Sequence, residues 1–363
     1  MLDLPIKLKG LILSGGQGSR LRPFTYTGAK QLVPIANKPI LFYAIENLVE
    51  CGVRDIGIVV GDTKDQVMAA VGDGSRFGVS VTYVEQEAPL GIAHAVKIAH
   101  GFLKDDPFVL FLGDNFIREG ILPFVIQYCR RDPRPAGQIL VYPVKNPQDF
   151  GVAELQDGRL LRVVEKPRDP PSNLAVIGIY LFDHRVFEAV NAIQPSARGE
   201  LEITDTIQYL VDRGLEVRCE VADGCWIDTG KMGDILEANR AILECLEPAS
   251  AGTVDVASRI EGRVVLQAGC EIVNSIIRGP SIIGERTRVV NSYVGPFTSI
   301  YHDCLIENSE IEQSVVMEDT VIGGMATRIQ DSLIGRNVEL KGSDARPRSC
   351  NLVLGDFSRV RIP

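Results

Sequence analysis

The chain has 363 residues, of which 45% are hydrophobic and 23% charged, values typical of a folded globular protein. They exclude a largely disordered chain, a collagen-like fibre and a small disulfide scaffold, and the length predicts about two domains. The formal net charge of −9 argues against nucleic-acid binding, because proteins that bind nucleic acids usually present a basic field.

Membrane insertion and secretion are not indicated. No apolar run approaches the ~18 residues that a membrane span needs, and residues 1–10 lack the features of a secretory signal. The cysteines form no C-x-x-C pair and no cluster with histidine, which argues against a zinc site. We therefore expect reduced thiols, a cytoplasmic location and no membrane partner. The eight cysteines stand at 51, 129, 219, 225, 245, 270, 304 and 350.

Apolar runs alternate with segments of helical periodicity up to about Leu246. This alternation predicts an α/β fold with a Rossmann-like, mostly parallel sheet covered on both faces. Ligands bind such sheets beyond the carboxyl ends of the strands, so the loops at 14–16 and 113–115 are the expected site. Strands are predicted over 8–13, 55–60, 79–84 and 108–112, and helices over 40–51, 64–71 and 92–103.

From about residue 253 helical periodicity ends and short pairs of β-branched residues recur. The strings IVNSII, VVNSYV and IENSEI place Asn274, Asn291 and Asn308 17 residues apart, and IQDSLI follows after 23. A three-sided coil with about six residues per side explains the repeat, so a left-handed parallel β-helix is predicted. The alternative is an ordinary antiparallel β-domain.

The predicted domains are 1–246 and 253–363. The coil is expected to carry structural rungs without a catalytic cluster, and to promote self-association into a homo-oligomer. Small residues are expected where it turns. The glycines in question are Gly284, Gly295, Gly323 and Gly335.

A glycine-rich sequence, Gly15-Gly16-Gln17-Gly18, follows the first predicted strand. Such a turn lets backbone N–H groups approach phosphate oxygens, because no Cβ blocks them. It has neither the G-K-[ST] ending of a P-loop nor the G-x-G-x-x-G dinucleotide spacing. Taken alone, these glycines leave both a phosphate-binding turn and an ordinary tight turn open.

The longer string G-G-x-G-[ST]-R-L-x-P, followed by K-Q-L-x-P and K-P, resembles the signature of sugar-1-phosphate nucleotidylyltransferases. The KQL, SNLAV and RGELEITD strings are similar to those of the glucose-1-phosphate thymidylyltransferases within that superfamily, and the coil resembles their long form. Ser19 stands where many members have Thr, and Phe150 where many have Tyr. The further matching segments are Gln86 with Leu90-Gly91, GDN at 113–115, FGV at 150–152, VEKP at 164–167, SNLAV at 172–176, RGELEITD at 198–205 and WIDTG at 226–230.

The resemblance implies that glucose 1-phosphate attacks the α-phosphorus of dTTP and that pyrophosphate leaves, with Mg²⁺ as cofactor. It implies that the metal is held by Asp114 and Asp228, and that catalysis uses Arg20, Lys30, Asp114, Lys166 and Asp228. The implied nucleotide-binding residues are Ser14, Gly15, Gly16, Gly18, Ser19, Arg20, Lys30, Gln31, Gln86, Gly91 and Asp114. The implied sugar-phosphate residues are Asn115, Gly151, Glu165, Lys166, Val176 and Arg198.

Each of these residue types also has a structural alternative. An aspartate can cap a turn, a surface lysine or arginine can be solvated, and Glu165 can pair with its neighbours. Three functions stay open: a thymidylyltransferase that starts dTDP-deoxysugar synthesis, the same chemistry with UTP or with mannose 1-phosphate and GTP, and a non-catalytic subunit. Relaxed use of UTP is expected because thymine and uracil share one imide edge.

Overall fold

The computed structural model of the chain describes residues 6–16, 18–342 and 354–361. The chain divides into two compact units, the first made of residues 1–17 and 41–226 and the second of 18–40 and 227–363. In this division the segment 18–40 groups with the C-terminal part, whereas the predicted boundary at 246 assigns it to the first domain. The predicted boundaries therefore stay a prediction.

A nine-stranded sheet forms the centre of the first unit. Lys9–Ser14 pairs in parallel with Asp55–Val60 and with Phe108–Leu112, and Ser80–Glu85 extends the parallel half beyond Asp55–Val60. These are the four predicted strands, two of them shifted by one residue. Phe108–Leu112 is almost wholly buried, since a central parallel strand is covered on both faces. The α/β class is confirmed.

The other half of the sheet pairs mostly antiparallel and follows the predicted elements in the chain. Leu174–Phe182 joins the two halves through its antiparallel pairing with Phe108–Leu112. At the outer edge Gly151 lies opposite Glu165 in an antiparallel pair. The five strands of this half are Gly137–Pro143, Gly151–Gln156, Arg159–Glu165, Leu174–Phe182 and Val217–Val221.

The helices begin and end close to the predicted positions, with one difference. Gly52, with φ of 80°, follows the helix Ile40–Glu50 as predicted. The predicted helix over 92–103 is wrong in that it is two helices, because the chain turns at Ala99 and stacks His100 on Phe187 at 4.0 Å between ring centroids. None of the described helices is long and apolar enough to cross a membrane. The helices up to residue 226 are Ile40–Glu50, Lys64–Val71, Ile92–Ile98, His100–Leu103, Leu122–Arg130, Val186–Ala192 and Ile203–Asp212.

The second unit contains a coil of short parallel strands in three sheets, and successive strands along the chain belong to successive sheets. This is the arrangement of the predicted β-helix. The first sheet consists of Ala249–Ser250, Val264–Leu266, Ser281–Ile283, Thr298–Ile300, Val315–Val316 and Leu333–Ile334. The second consists of Thr253–Val254, Glu271–Val273, Arg288–Val290, Leu305–Glu307, Val321–Gly323 and Glu339–Lys341. The third consists of Arg259–Glu261, Ile276–Arg278, Tyr293–Val294, Glu310–Glu312 and Ile329–Gln330.

The repeated Asn-Ser pairs form one corner of the coil. Asn274, Asn291 and Asn308 have φ of 43°, 48° and 45°, a left-handed conformation that asparagine tolerates better than most residues. The hydroxyl of Ser275 accepts a 3.0 Å hydrogen bond from the backbone N–H of Ser292, one turn further on. The 17-residue period therefore reflects a stacked corner in which each serine supports the next.

The predicted glycine turns are only partly required by the backbone. A Cβ on Gly284 would lie 2.4 Å from the backbone of Tyr301, and one on Gly295 would lie 2.6 Å from the Cβ of Glu312. Glycine is needed there because the next turn of the coil passes so closely. At Gly323 and Gly335 a Cβ would make only ordinary van der Waals contacts, the nearest at 3.9 Å and 3.4 Å, so glycine is not required there.

Asn239 joins three parts of the second unit from the helix Met232–Leu243, where it is buried. Its Oδ1 accepts hydrogen bonds from the backbone N–H of Ala36 at 2.8 Å and the hydroxyl of Ser299 at 2.6 Å. Its Nδ2 donates to the carbonyl of Phe297 at 3.2 Å. This one amide therefore holds the segment 18–40 and the helix against the coil.

Replacing Asn239 by alanine should lower the free energy of unfolding by about 2–4 kcal/mol, because several buried polar groups lose their partner together. Urea denaturation followed by circular dichroism measures the loss. Asn191→Ala is the matched control, since Asn191 is exposed and makes one bond to the Phe187 carbonyl. Equal effects of the two substitutions would contradict the bridging role of Asn239.

Candidate active site

The loop after the first strand lines a small open pocket in the first unit. Gly15, Gly61 and Gln86 are among its lining residues. Gly61 packs on the Gly15 backbone, where a Cβ would lie 3.1 Å from the Gly15 carbonyl oxygen. Ser14, which ends the strand, is buried, and its hydroxyl has no hydrogen-bond partner within the described part of the chain, while Gly16 is exposed.

Gly91 lies beside this pocket and its φ is 99°. A Cβ there would lie 2.4 Å from the carbonyl oxygen of Leu201. The backbone N–H of Leu201 donates to the Leu90 carbonyl at 2.8 Å. The Gly91 carbonyl accepts a hydrogen bond from the side-chain Nε2 of Gln86 at 3.2 Å. The structure thus brings the predicted base-binding residues Gln86 and Gly91 together, and it gives Gly91 a packing requirement that the motif did not reveal.

The Gly-Asp-Asn sequence after Phe108–Leu112 is held in a fixed orientation. Asn115 is buried, and its Nδ2 donates to the Asp114 carboxylate at 3.2 Å. Its Oδ1 accepts from the indole Nε1 of Trp226 at 2.7 Å. The Trp226 ring meets the Phe150 ring edge-on, with 5.6 Å between centroids. Trp226, to which the sequence analysis assigns no role, therefore orients the amide that contacts Asp114.

A cluster of charges stands at the edge of the antiparallel half of the sheet. Lys166 Nζ lies 3.5 Å from Glu165 Oε1, and Arg198 Nη2 lies 3.2 Å from the same oxygen. Gly151 lies opposite, where a Cβ would be 3.3 Å from Glu165 Oε2 and 2.7 Å from the Thr204 methyl group. Four of the six predicted sugar-phosphate residues, Gly151, Glu165, Lys166 and Arg198, are therefore neighbours.

The backbone of Lys166 has an unusual conformation and is held by a hydrogen bond. Lys166 has φ of 40°, a left-handed conformation that is uncommon outside glycine, and strain of this kind is concentrated at functional sites. Its N–H donates to the Phe150 carbonyl at 3.0 Å.

Val176 is buried in the strand Leu174–Phe182, as either a core residue or a pocket wall would be.

Glu202 holds Arg198 in place and is a residue that the sequence analysis missed. It is 5% exposed. The Arg198 guanidinium donates through Nε to Glu202 Oε1 at 3.1 Å and through Nη2 to Oε2 at 2.8 Å. The hydroxyl of Ser196 donates to Oε1 at 2.7 Å. Only its place in the RGELEITD string could have drawn attention to it, because a single glutamate has no distinguishing spacing.

Burial raises the pKa of Glu165 above its usual value of 4.5, and the negative charge of Glu202 adds to the rise. The positive charges of Lys166 and Arg198 act against it and lower the pKa. The ionised form of Glu165 therefore depends on the two cations beside it.

In the second unit the predicted phosphate-side residues form two local groups. Gly18 has φ of 61°, and a Cβ there would lie 2.9 Å from the Cβ of Lys30, so the lysine stem packs on this glycine. Gln31 follows in the short helix Lys30–Leu32 and is buried. Its Oε1 has no hydrogen-bond partner among the residues that the structure describes.

The second group contains Arg20 and Asp228. Arg20 Nη2 lies 3.9 Å from Asp228 Oδ2, and the arginine side chain is 59% exposed. A Cβ on Gly230 would lie 2.8 Å from the same Nη2, so the glycine of the WIDTG string leaves room for the guanidinium. Ser19 is exposed beside Arg20 at the start of the short helix Ser19–Leu21.

The donor chemistry of the two predicted metal ligands fits Mg²⁺. Asp114 and Asp228 both offer carboxylate oxygens, the hard donors that this ion prefers. The described residues contain no group of three or more His, Cys, Asp or Glu side chains arranged to hold a metal. A magnesium ion held by one or two carboxylates usually completes its shell with substrate phosphates and water.

The comparison with known proteins decides the family. The model of the family described as "Nucleotidyl transferase" matches residues 9–245. The chain belongs to this family. It is 51% identical to a glucose-1-phosphate thymidylyltransferase of Streptomyces griseus, over 98% of this chain and 99% of that one. It is 43% identical to the low-salt glycan biosynthesis nucleotidyltransferase Agl11 of Haloferax volcanii, over 98% of this chain and all of that one.

Solved structures of the same kind match about two thirds of the chain. One, described as a glucose-1-phosphate thymidylyltransferase of Bacillus anthracis, has a TM-score of 0.62 and 36% identity, and the match covers 67% of this chain and 98% of that one. A UDP-glucose pyrophosphorylase complexed with UDP-glucose has a TM-score of 0.59 and 26% identity, over 66% and 100% of the two chains. The protein is therefore a nucleotidyltransferase. The coil lies beyond the residues that the family model matches, whereas the Streptomyces and Haloferax relatives match this chain over 98% of its length.

Removing the Arg198 charge should raise the pKa of Glu165 further, because this guanidinium is one of the two cations that lower it. The pKa of the carboxyl group can be followed by ¹³C NMR in Glu-labelled protein, for the wild type and Arg198→Ala. Arg213→Ala serves as the control, since Arg213 pairs with Glu188 instead. An unchanged or lower pKa in Arg198→Ala would show that Arg198 does not support the ionised form.

Proposed function

We propose that the protein is a glucose-1-phosphate thymidylyltransferase, which converts dTTP and glucose 1-phosphate to dTDP-glucose and pyrophosphate at the start of dTDP-deoxysugar synthesis. The observation that carries this proposal is near-full-length similarity to two Streptomyces enzymes of that name, each 51% identical. The five predicted catalytic residues are all present, namely Arg20, Lys30, Asp114, Lys166 and Asp228.

The charge cluster in the first unit supports binding of the sugar phosphate. Lys166 and Arg198 are 46% and 40% exposed, so both cations stay accessible to a phosphate group. Glu165 between them is the acceptor for sugar hydroxyls, which donate hydrogen bonds to a carboxylate. Gly151 keeps the space beside this carboxylate free of a side chain. The predicted residues Asn115 and Val176 complete the sugar-phosphate set.

The nucleotide is assigned to the glycine-rich loop and its neighbours. In this assignment backbone N–H groups of residues 14–16, 18 and 19 approach the phosphates, Arg20 binds the leaving pyrophosphate, and Lys30 offsets charge near the α-phosphate. Gln86 and Gln31 face the base. A phosphate oxygen of the sugar ester is itself the nucleophile, so the protein's task is to position two anions and to offset their repulsion.

The family generally uses a divalent metal, and we assign Mg²⁺ to Asp114 and Asp228. When bound, the ion neutralises charge on the phosphate oxygens and thereby favours departure of pyrophosphate. The Asn115 amide contributes by holding the Asp114 carboxylate in one orientation through its 3.2 Å hydrogen bond.

A UTP-dependent activity is the second candidate. The similarity to a solved UDP-glucose pyrophosphorylase favours it, because thymine and uracil present the same imide edge to Gln86. They differ by a methyl group, which a binding pocket distinguishes by only about 1–3 kcal/mol.

The state of the cysteines bears on the cellular location. The seven described cysteines are free thiols, which supports the proposed cytoplasmic location, while Cys350 lies outside the described residues. Self-association through the coil stays a prediction that light scattering on the purified protein can check.

The direct test of the proposed function is incubation of the purified protein with dTTP, glucose 1-phosphate and Mg²⁺. ³¹P NMR should show dTDP-glucose and pyrophosphate in equal amounts. Absence of both products at catalytic enzyme concentrations would refute the proposal.

Asp114→Asn should lower kcat by roughly 100-fold or more, because it removes the charge that is assigned to the metal while keeping the side-chain size. Circular dichroism should show an unchanged fold. Asp212→Asn, at an exposed helix position, is the control and should keep full activity. Near-normal turnover of Asp114→Asn with unchanged metal dependence would reject this role for Asp114.

Lys166→Ala should raise the KM for glucose 1-phosphate about ten-fold or more and leave the KM for dTTP within about two-fold, since a charge-assisted hydrogen bond to phosphate is lost. Lys145→Ala provides the comparison at an exposed lysine. If only the KM for dTTP changed, the assignment of Lys166 to the sugar phosphate would be wrong.

A further inference from the structure

The side-chain amide of Gln86 is held by two neighbours in the first unit. Its Nε2 lies 3.2 Å from the Gly91 carbonyl oxygen and 3.0 Å from His94 Nδ1. Its backbone N–H donates to the Val60 carbonyl at 2.8 Å, which anchors the residue after its strand. Both side-chain N–H groups are therefore occupied by the protein itself.

The remaining atom of this amide, Oε1, is on the pocket side. It lies 3.6 Å from the position that a Cβ on Gly15 would take, and both residues line the same pocket. No described residue donates a hydrogen bond to it. Gln86 consequently offers the pocket an acceptor and no donor.

The orientation of the amide is decided by chemistry. The Gly91 carbonyl can only accept a hydrogen bond, so the nitrogen of the amide must face it. A rotation by 180° would set Oε1 against the Gly91 carbonyl oxygen and against the lone pair of His94 Nδ1. His94 takes part as a neutral imidazole, and because Gln86 Nε2 donates to its Nδ1 the ring proton is on Nε2. Burial together with the charge of Lys97 lowers the pKa of His94 and so favours the neutral ring.

We propose that His94 is a positioning residue that locks the Gln86 amide with its oxygen towards the base, so that the enzyme selects pyrimidines with an N3–H donor and rejects cytosine. This inference rests on the proposed function, because it takes the nucleotide base as the group that Gln86 meets. Thymine and uracil carry a hydrogen on N3, whereas cytosine has a lone pair there. Cytosine would place two acceptors face to face, and a mismatch of buried polar groups discriminates strongly.

The test measures kcat and KM for dTTP, UTP and dCTP at saturating glucose 1-phosphate, with wild-type enzyme, His94→Leu and His94→Asn. In His94→Leu the amide loses one of its two restraints. The KM for dTTP should rise about five-fold, the change in equilibrium that one ordinary hydrogen bond provides. The preference for dTTP over dCTP should fall by at least the same factor, with kcat within about two-fold.

Two internal controls separate positioning from a general structural role. The ratio of dTTP to UTP should not change, because both bases carry N3–H. His94→Asn should restore the wild-type preference, since Oδ1 of asparagine takes the place of Nδ1 as the acceptor for Gln86. His94→Ala carries the same expectation as His94→Leu and replaces it should the larger side chain prevent folding.

An unchanged dTTP-to-dCTP preference in His94→Leu or His94→Ala would overturn the inference while leaving the proposed function standing. An equal rise of KM for all three nucleotides would also overturn it, since that result shows loss of the pocket and not of base selection. If wild-type enzyme releases no pyrophosphate with dTTP or UTP, the proposed function fails and the inference fails with it.

Discussion

Repulsion between two phosphate esters is the constraint on which the proposed chemistry depends, and the chain that must overcome it carries a net charge of −9. We propose that local cations ordered by carboxylates meet this constraint. Lys166 and Arg198 lie within 3.5 Å of Glu165, and Arg20 lies 3.9 Å from Asp228. Because each cation is held by its partner and still exposed, it can meet a phosphate without first losing much freedom, which is the condition for electrostatic preorganisation.

The carboxylates in these pairs do more than orient cations. Glu202 fixes Arg198 from the buried side through three guanidinium hydrogen bonds, and Glu165 has an elevated pKa because it is buried near a second acid. Gln86 is oriented by its neighbours in a similar way. Its amide nitrogen donates to the Gly91 carbonyl and to His94 Nδ1, and its amide oxygen remains as an acceptor for a ligand. In both places a residue without a predicted role, Glu202 or His94, contacts and orients a neighbour that has one.

Sequence periodicity predicted the parallel half of the sheet well, since three of its four strands are buried, largely apolar runs and the fourth, Ser80–Glu85, alternates in polarity. The 17-residue repeat predicted the coil. Periodicity could not predict the break at Ala99, beside which His100 stacks on Phe187, a residue far along the chain. The motif strings identified Glu165, Lys166 and Arg198, which the structure brings together. They could not identify His94 or Glu202 as supports, because hydrogen bonds between distant residues leave no local pattern. The roles assigned to the site residues stay predictions.

The most direct measurement of the central claim is a crystal structure of the protein with glucose 1-phosphate bound. The account predicts that the ester phosphate lies within hydrogen-bond distance of Lys166 Nζ and beside Arg198, and that sugar hydroxyls donate to the Glu165 carboxylate. A phosphate bound away from both cations, or a sugar that leaves Glu165 in contact only with its protein neighbours, would contradict it.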